Sequence, residues 1–526
     1  MSAVTISPTA LPAKAAATDT RRLVAFIAMV FGMFMAILDI QIVSASLSEI
    51  QAGLSASSDE VAWVQTSYLI AEVIMIPLSG ILSRAFSTRY LFAVSCAGFT
   101  LMSFMCSTAT DINTMIVYRA LQGFIGGAMI PTVFATAFTI FPREKQPVIG
   151  PMIGLVATLA PTIGPTVGGY LTDLFSWHWL FLINVVPGIV VTLATYVLVD
   201  FDRPDLSLLE RFDWFGLFGM AAFLGGMEYV LEEGPQKNWF DENIIVVCAV
   251  VSVLGALLFF WRVFTAKQPI VDLSAFQNKN FAFGSLFSFV MGVGLYGLTY
   301  VYPIFLARVR GYSSLQIGET MFVSGACMFV AAPIVGRLVN KVDPRLLIGL
   351  GFAGFAAGTW LASGITKDWD FWELLVPQML RGFSLMTAMV PINNVALGTL
   401  PPARIKNASG LYNLTRNLGG AVGLACINTL INTRWDLHMA RLHESVAWGH
   451  EKAEATLDML TQAYGSMGSD AALAATKQLA GMVRGQALVM SLGDVFLALT
   501  ALFVALVVVT PLIARPGRAG GGGGAH

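Results

Sequence analysis

A few ionisable side chains stand alone inside long apolar stretches of the sequence. They are Asp39, Glu72, Arg119, Glu228, Arg381, Arg416 and Asp494. A charge at the centre of a bilayer costs roughly 2.5–3.5 kcal/mol on insertion scales, so each of these residues is expected to face a helix-bundle interior or a water-filled cavity. The chemistry that they suggest is the movement of protons or charged solutes.

Asp39 and Arg119 are the clearest pair. At 1.5 Å per residue, Asp39 lies roughly 25 Å above the start of its apolar stretch. Arg119, on another predicted span, lies roughly 22 Å above the same side of the membrane. We therefore expect the two side chains to meet. A neighbouring arginine favours the charged carboxylate and burial favours the neutral acid, so Asp39 could load and release a proton. The alternative is a static structural pair.

Most of the remaining ionisable residues have more than one interpretation. Glu72 lies near the middle of its stretch and fits either a second proton site, a contact to a cationic substrate, or a protonated carboxyl between helices. Glu228 lies in the inserted pair of helices and is a candidate for the substrate cavity. Arg381 and Arg416 could bind a substrate anion or lock helices through backbone carbonyls, and Asp494 lies close to a helix end, where water reaches it.

Composition explains what must position these residues. Of 526 residues, 56% are hydrophobic and 12% are charged, about half the charged fraction of soluble proteins. The chain therefore reads as an all-α membrane protein. A net charge of -1 argues against a nucleic-acid partner. The five cysteines match no zinc or disulfide framework, and no P-loop, zinc-protease or nucleophile-elbow motif points to an enzyme or a cofactor.

Apolar runs of about 20 residues recur along the whole length and predict fourteen transmembrane helices. The predicted spans are 22–44, 62–83, 91–109, 114–138, 148–172, 179–199, 214–232, 243–264, 281–306, 314–336, 346–366, 372–398, 408–431 and 486–513. Most of the 31 Lys and Arg residues fall in loops on the side of the termini, which predicts cytoplasmic termini. Residues 1–21 and 514–526 are predicted flexible cytoplasmic tails, and 432–485 a polar and helix-prone periplasmic loop.

Three pairs of segments recur at a spacing of about 256–260 residues and indicate an internal repeat. GILSRAFSTRYL (80–91) echoes GRLVNKVDPRLL (336–347), RALQGF (119–124) echoes QMLRGF (378–383), and FPREKQPVIG (141–150) echoes PPARIKNASG (401–410). The repeat predicts two six-helix halves, 22–199 and 265–513, with a linker and two inserted helices in 200–264. A substrate site is then expected between the halves.

These motifs resemble those of the major facilitator superfamily, and specifically the fourteen-span drug:proton antiporters of the EmrB/QacA type. GILSRAFSTRYL resembles the loop motif between spans two and three, although the family usually has Asp at the position of Arg84 and Gly at that of Ser87. YRALQGFIGGAM (118–129) resembles the fourth-span motif, APTIGPTVGGYL (160–171) the antiporter motif, and ILDIQIV (37–43) the first-span motif. SWHWLFLINVVPG (176–188) and PIVDLSAFQNKNF (269–281) resemble the EmrB/QacA type.

The resemblance implies a proton-driven exporter in a bacterial cytoplasmic (inner) membrane, with Asp39 and Arg119 in proton coupling. It further implies a periplasmic adaptor protein and an outer-membrane channel as partners. Glu72, Gln122, Glu228, Arg381 and Arg416 are the candidates for the substrate cavity. The residues expected to act in packing or conformational change are Gly80, Arg89, Gly123, Pro161, Gly164, Pro165, Gly168 and Gly169, because small residues allow close helix contact and proline kinks helices.

Three functions remain open from the sequence. The first is proton-coupled efflux of amphiphilic drugs by alternating access. The second is export of one anionic metabolite, such as a siderophore or a fatty acid, through Arg381 or Arg416. The third is a membrane scaffold or receptor that does not transport, against which the cost of the intramembrane charges argues.

Overall fold

The fold is a bundle of long helices. A computed structural model describes residues 13–141, 145–210, 212–339, 341–446 and 451–513, and these residues contain no β-strand. The helices as far as the inserted pair are α1 (Ala13–Ala45), α2 (Leu47–Gly53), α3 (Ser58–Ala85), α4 (Ser87–Ser107), α5 (Ile112–Gly126), α6 (Met129–Ile140), α7 (Gln146–Leu174), α8 (Trp179–Leu182), α9 (Val185–Leu198), α10 (Ser207–Glu210), α11 (Trp214–Glu233) and α12 (Asn243–Thr265).

The rest of the chain continues in the same way. Its helices are α13 (Lys279–Ile304), α14 (Ser314–Leu338), α15 (Pro344–Ser363), α16 (Phe371–Leu397), α17 (Pro402–Ser445), α18 (Glu451–Ala463) and α19 (Ala471–Val509). Short 3-10 turns lie at Trp239–Asp241, Leu273–Gln277, Gly465–Asp470 and Thr510–Leu512, and a π-helical turn, Phe305–Val309, follows α13.

Twelve helical segments in the described part of the chain are long and apolar enough to cross a membrane. They coincide with twelve of the fourteen predicted spans. The other two predictions, 372–398 and 408–431, fall on α16 and α17, which are long enough but carry more polar side chains, including Arg381 and Arg416. The structure therefore establishes an all-helical bundle with twelve candidate spans.

Helix packing brings the two parts of the predicted repeat together. In the first part, α7 packs on α1 and α5 packs on α3. In the second, α17 packs on α13 and α16 packs on α15. The two parts meet where α14 packs on α7 and where α17 packs on α3 and α6. Arg21, near the start of α1, donates to the carbonyl of Val197, near the end of α9, at 2.8 Å. We name the side on which α1 begins and α9 ends the terminal face, and the other side the opposite face.

The inserted helices α11 and α12 pack mainly on each other. Within the apolar window of α12 only 17% of residues are buried, so most of this helix is directed away from the bundle. By contrast, α11 also packs on α3 and α17, one helix from each part of the repeat. The inserted pair thus sits at the edge of the bundle, and α11 forms its inner side.

Several helices extend beyond the predicted spans. Helix α1 begins at Ala13, within the predicted tail, whereas residues 1–12 and 514–526 lie outside the described part. Around the predicted loop 432–485, α17 continues to Ser445 and α19 begins at Ala471. The prediction ended these spans where polarity rises, but no proline interrupts either extension, and a polar helix remains stable outside a membrane.

Candidate functional site

A buried ion pair joins α1 to α5. Arg119 Nη1 donates to Asp39 Oδ2 at 2.6 Å, and both side chains are fully buried. Arg119 Nε donates to the backbone carbonyl of Val64 at 3.2 Å, and its guanidinium lies 4.2 Å from the centroid of the Tyr68 ring. The expected contact between Asp39 and Arg119 is therefore present. A charge is tolerated in such a place when it is paired and hydrogen-bonded.

Two amides complete the surroundings of Asp39. Asn184 Nδ2 donates to Asp39 Oδ1 at 2.8 Å, and Gln122 Nε2 donates to the same oxygen at 3.3 Å. Gln122 also accepts from Arg119 Nη1 at 2.8 Å, so it bridges both members of the pair. Hydrogen bonds to the carboxylate from three side chains favour its charged form, whereas complete burial opposes it.

Sequence reasoning missed Asn184. The residue lies where the predicted sixth span is interrupted between α8 and α9. Pro187 has no N–H to donate to the carbonyl of Ile183, which loosens the helix at this point. The signal available in the sequence was the single amide side chain in the otherwise apolar run WLFLINVVPG. An amide buried in such a run needs a polar partner next to it.

A cavity of about 580 Å³ lies between the two parts of the repeat. Its wall includes Glu72 of α3 and extends to Leu47, Gln236 and Tyr312 in the connecting segments at the opposite face. A volume of this size suits a drug-sized ligand, for which pockets of roughly 300–1,000 Å³ are usual. Glu72, predicted near the middle of its span, is 3% exposed and borders this cavity.

Three further carboxylates line the same cavity from α11: Glu228, Glu232 and Glu233. Glu228 was a candidate from the sequence. The other two were missed because they lie at the end of a predicted span, where a charged residue needs no special explanation. Glu233 is neutralised, since its Oε2 lies 3.3 Å from Lys237 Nζ and its Oε1 accepts from Thr66 at 3.3 Å.

The other predicted cavity residues lie elsewhere. Arg381 is buried behind the wall, where its Nη2 donates at 2.6 Å to Thr299, a residue that does line the cavity. Arg416 is also buried, and its Nη2 donates to Asn413 at 2.6 Å. Neither arginine is among the described residues that border the cavity, and Gln122 belongs to the Asp39 cluster instead. Their roles in substrate binding stay predictions.

Asp494, predicted to be wet, is paired near the opposite face. His438 Nε2 lies 2.8 Å from its Oδ2, and Arg434 Nε lies 3.6 Å from the same oxygen. Both partners lie on the extension of α17, and Asp494 lies on α19. The contact joins two long helices and is separate from the cavity.

The terminal face is closed by contacts between the two parts of the repeat. Lys406, at the start of α17, forms an ion pair with Asp202 in the segment that follows α9, and its Nζ donates to the carbonyl of Ser83 at 3.1 Å. Ser409 donates to the carbonyl of Pro131 at 3.0 Å. The cavity therefore extends to one face while polar contacts close the other.

The loop motif between α3 and α4 forms part of this closure. Ser87 has φ of +72°, which favours glycine, and it occupies the position where the resembling family usually has glycine. Asp202 accepts from the backbone N–H of Thr88 at 3.0 Å and so supplies a carboxylate although Arg84 stands at the usual Asp position. Arg89 anchors this loop through Asp200, 3.2 Å away.

Glycines permit the closest helix contacts. A Cβ at Gly80 would lie 3.0 Å from the Cα of Asn407, at the contact of α3 with α17. At Gly123 it would meet the backbone carbonyl of Tyr68, at the contact of α5 with α3 beside Arg119. Substitution of either glycine must therefore move a helix backbone.

The fifth predicted span, now α7, packs through glycine within the first part of the repeat. A Cβ at Gly164 would meet Gln41, and one at Gly168 would lie 2.8 Å from the carbonyl of Ile42, both on α1. Pro161, Pro165, Gly168 and Gly169 lie inside the helix, and Pro165 borders the cavity. The contact with α14 is made by Thr166 against Gly318, so the surface between the two parts lies on a different side of α7.

The residues described in the structure contain no group of three or more His, Cys, Asp or Glu that could hold a metal ion. The fold and the buried charges define a multi-pass helical membrane protein with a cavity between the two parts of the repeat. Residues 29–424 match the family model of the Major Facilitator Superfamily, and the chain belongs to that family. Its members are transporters, so the protein is a transporter and not an enzyme.

Named relatives confirm the resemblance to the EmrB type. The chain is 43% identical over 494 residues to the colistin resistance protein EmrB of Acinetobacter baumannii, with 93% of this chain and 96% of that protein covered. It is 30% identical to the multidrug export protein EmrB of Escherichia coli K12, with 95% and 97% covered. It is 27% identical to the fatty acid resistance protein FarB of Neisseria gonorrhoeae, with 93% and 96% covered.

The fold is also similar to a solved structure. The human organic anion transporter MFSD10 aligns with a TM-score of 0.57 at 13% identity, covering 92% of this chain and 99% of that chain. At this level of identity the similarity concerns the fold alone.

Proposed function

We propose that the protein exports amphiphilic drugs or toxic compounds in exchange for protons, across the inner membrane of a bacterium. The observation that carries the proposal is the fully buried Asp39–Arg119 pair beside a cavity whose wall holds further carboxylates. The relatives named for multidrug export and colistin resistance support the substrate class. In this proposal Asp39 is the proton site, Arg119 favours its charged form, and Glu72 contributes a second proton or substrate contact.

We further propose that all fourteen predicted helices cross the membrane, with the termini in the cytoplasm. The structure is then the outward-facing state of an alternating-access cycle, because the cavity extends to the opposite face and Lys406 closes the terminal face. Protons loaded from outside neutralise Asp39 and weaken its hold on Arg119. The two halves then rock to open the terminal face, where the proton leaves and substrate enters.

A periplasmic adaptor protein and an outer-membrane channel belong to the same proposal. Helix α17 has 44 residues, so at 1.5 Å per residue it is about 66 Å long, whereas a bilayer core is about 30 Å thick. About half of α17 therefore projects beyond the membrane. Together with α18 and the first part of α19, it offers a rigid surface for an adaptor.

The test is dye-coupled proton flux in proteoliposomes with an imposed pH gradient, using ethidium as the dye. Asp39→Asn should abolish transport driven by the gradient. Asp111→Asn is the matched control, since this exposed residue caps α5 through the backbone N–H of Thr114 and asparagine can cap equally well. If Asp39→Asn transports as well as the unaltered protein, Asp39 is structural and Glu72 becomes the proton site.

The name of the fatty acid resistance relative favours one alternative, export of a specific anion. Competition between substrates of opposite charge separates the two functions. If the unaltered protein moves no cationic dye, and a long-chain fatty acid is exported under the same gradient, the anion exporter replaces the first proposal. Arg381 and Arg416 would then have to reach the substrate in another conformation.

A further inference from the structure

The inserted helix α11 contributes to the cavity some acidic side chains that have no partner within the described part of the chain. Glu228 is 6% exposed, and Glu72 opposite it on α3 is 3% exposed. Both border the cavity, yet neither has a hydrogen-bond or ion-pair partner among the described residues. Carboxylates buried to this degree are normally paired or hydrogen-bonded. The cavity therefore presents unpaired acceptors to whatever occupies it.

Glu228 and Glu232 lie on the same face of α11. They are four residues apart, so they are separated by about 6 Å along the helix and both border the cavity. Like charges at this spacing destabilise a helix when nothing lies between them. Glu233 differs, because Lys237 already neutralises it. Glu228 and Glu232 are thus the part of α11 that a cation would stabilise.

The rest of the wall fits an organic cation. Tyr296 and Tyr300 border the same cavity, and an aromatic ring attracts a cation at its face. Among the described lining residues, Arg308 is the basic one, and it lies exposed in the π-helical turn after α13, toward the opposite face. The deeper part of the wall therefore carries acidic, amide, aromatic and apolar groups.

We propose that Glu228 and Glu232 form a second cation subsite, so that the cavity takes an elongated amphiphilic dication with one charge at Glu72 and the other at α11. This inference rests on the cavity being the substrate site of the proposed exporter. The proposal gives the inserted helix α11 a role in substrate binding, because the two six-helix halves alone do not supply this second subsite. A monocation occupies the Glu72 end and leaves the second subsite unused.

Binding of two matched dyes to the purified full-length protein tests the proposal without any need for transport. Ethidium and propidium share the phenanthridinium ring, and propidium adds a quaternary ammonium on a short chain. In the variant Glu228→Gln/Glu232→Gln, we expect the Kd of propidium to rise about tenfold and that of ethidium to change less than twofold. Glu72→Gln should weaken both dyes.

Two controls separate charge from folding. Glu228→Asp/Glu232→Asp keeps the charges and should retain tight propidium binding. Glu242→Gln removes an exposed carboxylate just beyond α11 and should change neither dye. The proposal is overturned if the unaltered protein binds neither dye, if the double glutamine variant weakens both equally, or if it weakens neither. Dye discrimination without proton-driven transport would uphold the subsite and refute the exporter.

Discussion

Removal of the negative charge at Asp39 leaves a fully buried guanidinium without its anion. In Asp39→Asn, Arg119 keeps only neutral acceptors, Gln122 Oε1 at 2.8 Å and the carbonyl of Val64 at 3.2 Å. Breaking a buried pair in this way costs about 3–5 kcal/mol. At about 2–4 °C per kcal/mol for a unit the size of the first half, the variant should melt about 6–20 °C lower.

A double-mutant cycle shows whether this loss belongs to the pair. Arg119→Gln alone leaves a buried carboxylate and should cost a similar amount, whereas Asp39→Asn/Arg119→Gln removes both charges. The double variant should therefore be more stable than the sum of the single losses predicts, with a coupling of about 2–3 kcal/mol. Melting is followed by tryptophan fluorescence of the purified protein in detergent.

Two results would refute the reasoning. If Asp39→Asn melts within about 2 °C of the unaltered protein, the guanidinium is stabilised by something other than the carboxylate. If the single losses simply add in the double variant, the two residues act independently in spite of the 2.6 Å contact. Asp111→Asn, an exposed carboxyl-to-amide change at the cap of the helix that carries Arg119, sets the baseline for both comparisons.

Two other variants concern the terminal face. Ser87→Gly should raise the melting temperature by about 2–4 °C, because a left-handed φ costs a non-glycine residue about 1 kcal/mol; a lower melting temperature would show that the serine side chain is needed. Asp202→Asn removes the partner of Lys406 and should loosen the closure of the terminal face. In a protein without its native cysteines, the cysteine introduced by Ser409→Cys at a buried position should then react several-fold faster with maleimide. Asp200→Asn, which removes an exposed partner of Arg89, should leave that rate unchanged.

The contact between Asp39 and Arg119 could be predicted because helix depth is a one-dimensional quantity. Each residue rises 1.5 Å, so two charges at equal depth in neighbouring spans can be matched from sequence positions alone. Rotation about the helix axis is different, since it depends on packing against neighbours. For that reason it could not be predicted that Arg381 and Arg416 lie off the wall of the cavity.

The missed residues share a second physical reason. Asn184 and Asp202 become informative only through their partners, which lie far away in the sequence. Asp202 in particular replaces the carboxylate that the resembling loop motif usually carries, from a position more than a hundred residues later in the chain. A motif read along the sequence cannot reveal a group supplied by another segment.

The position of α11 has a mechanical consequence for the opposite face. Glu233 accepts from Thr66 on α3, Trp239 Nε1 donates to Thr429 on α17 at 3.1 Å, and Asn432 on α17 donates to the carbonyl of Pro235 at 3.1 Å. The short segment from Glu233 to Trp239 thus links helices from both halves. In the proposed alternating-access cycle, the length of this segment limits how far the two halves separate at the opposite face.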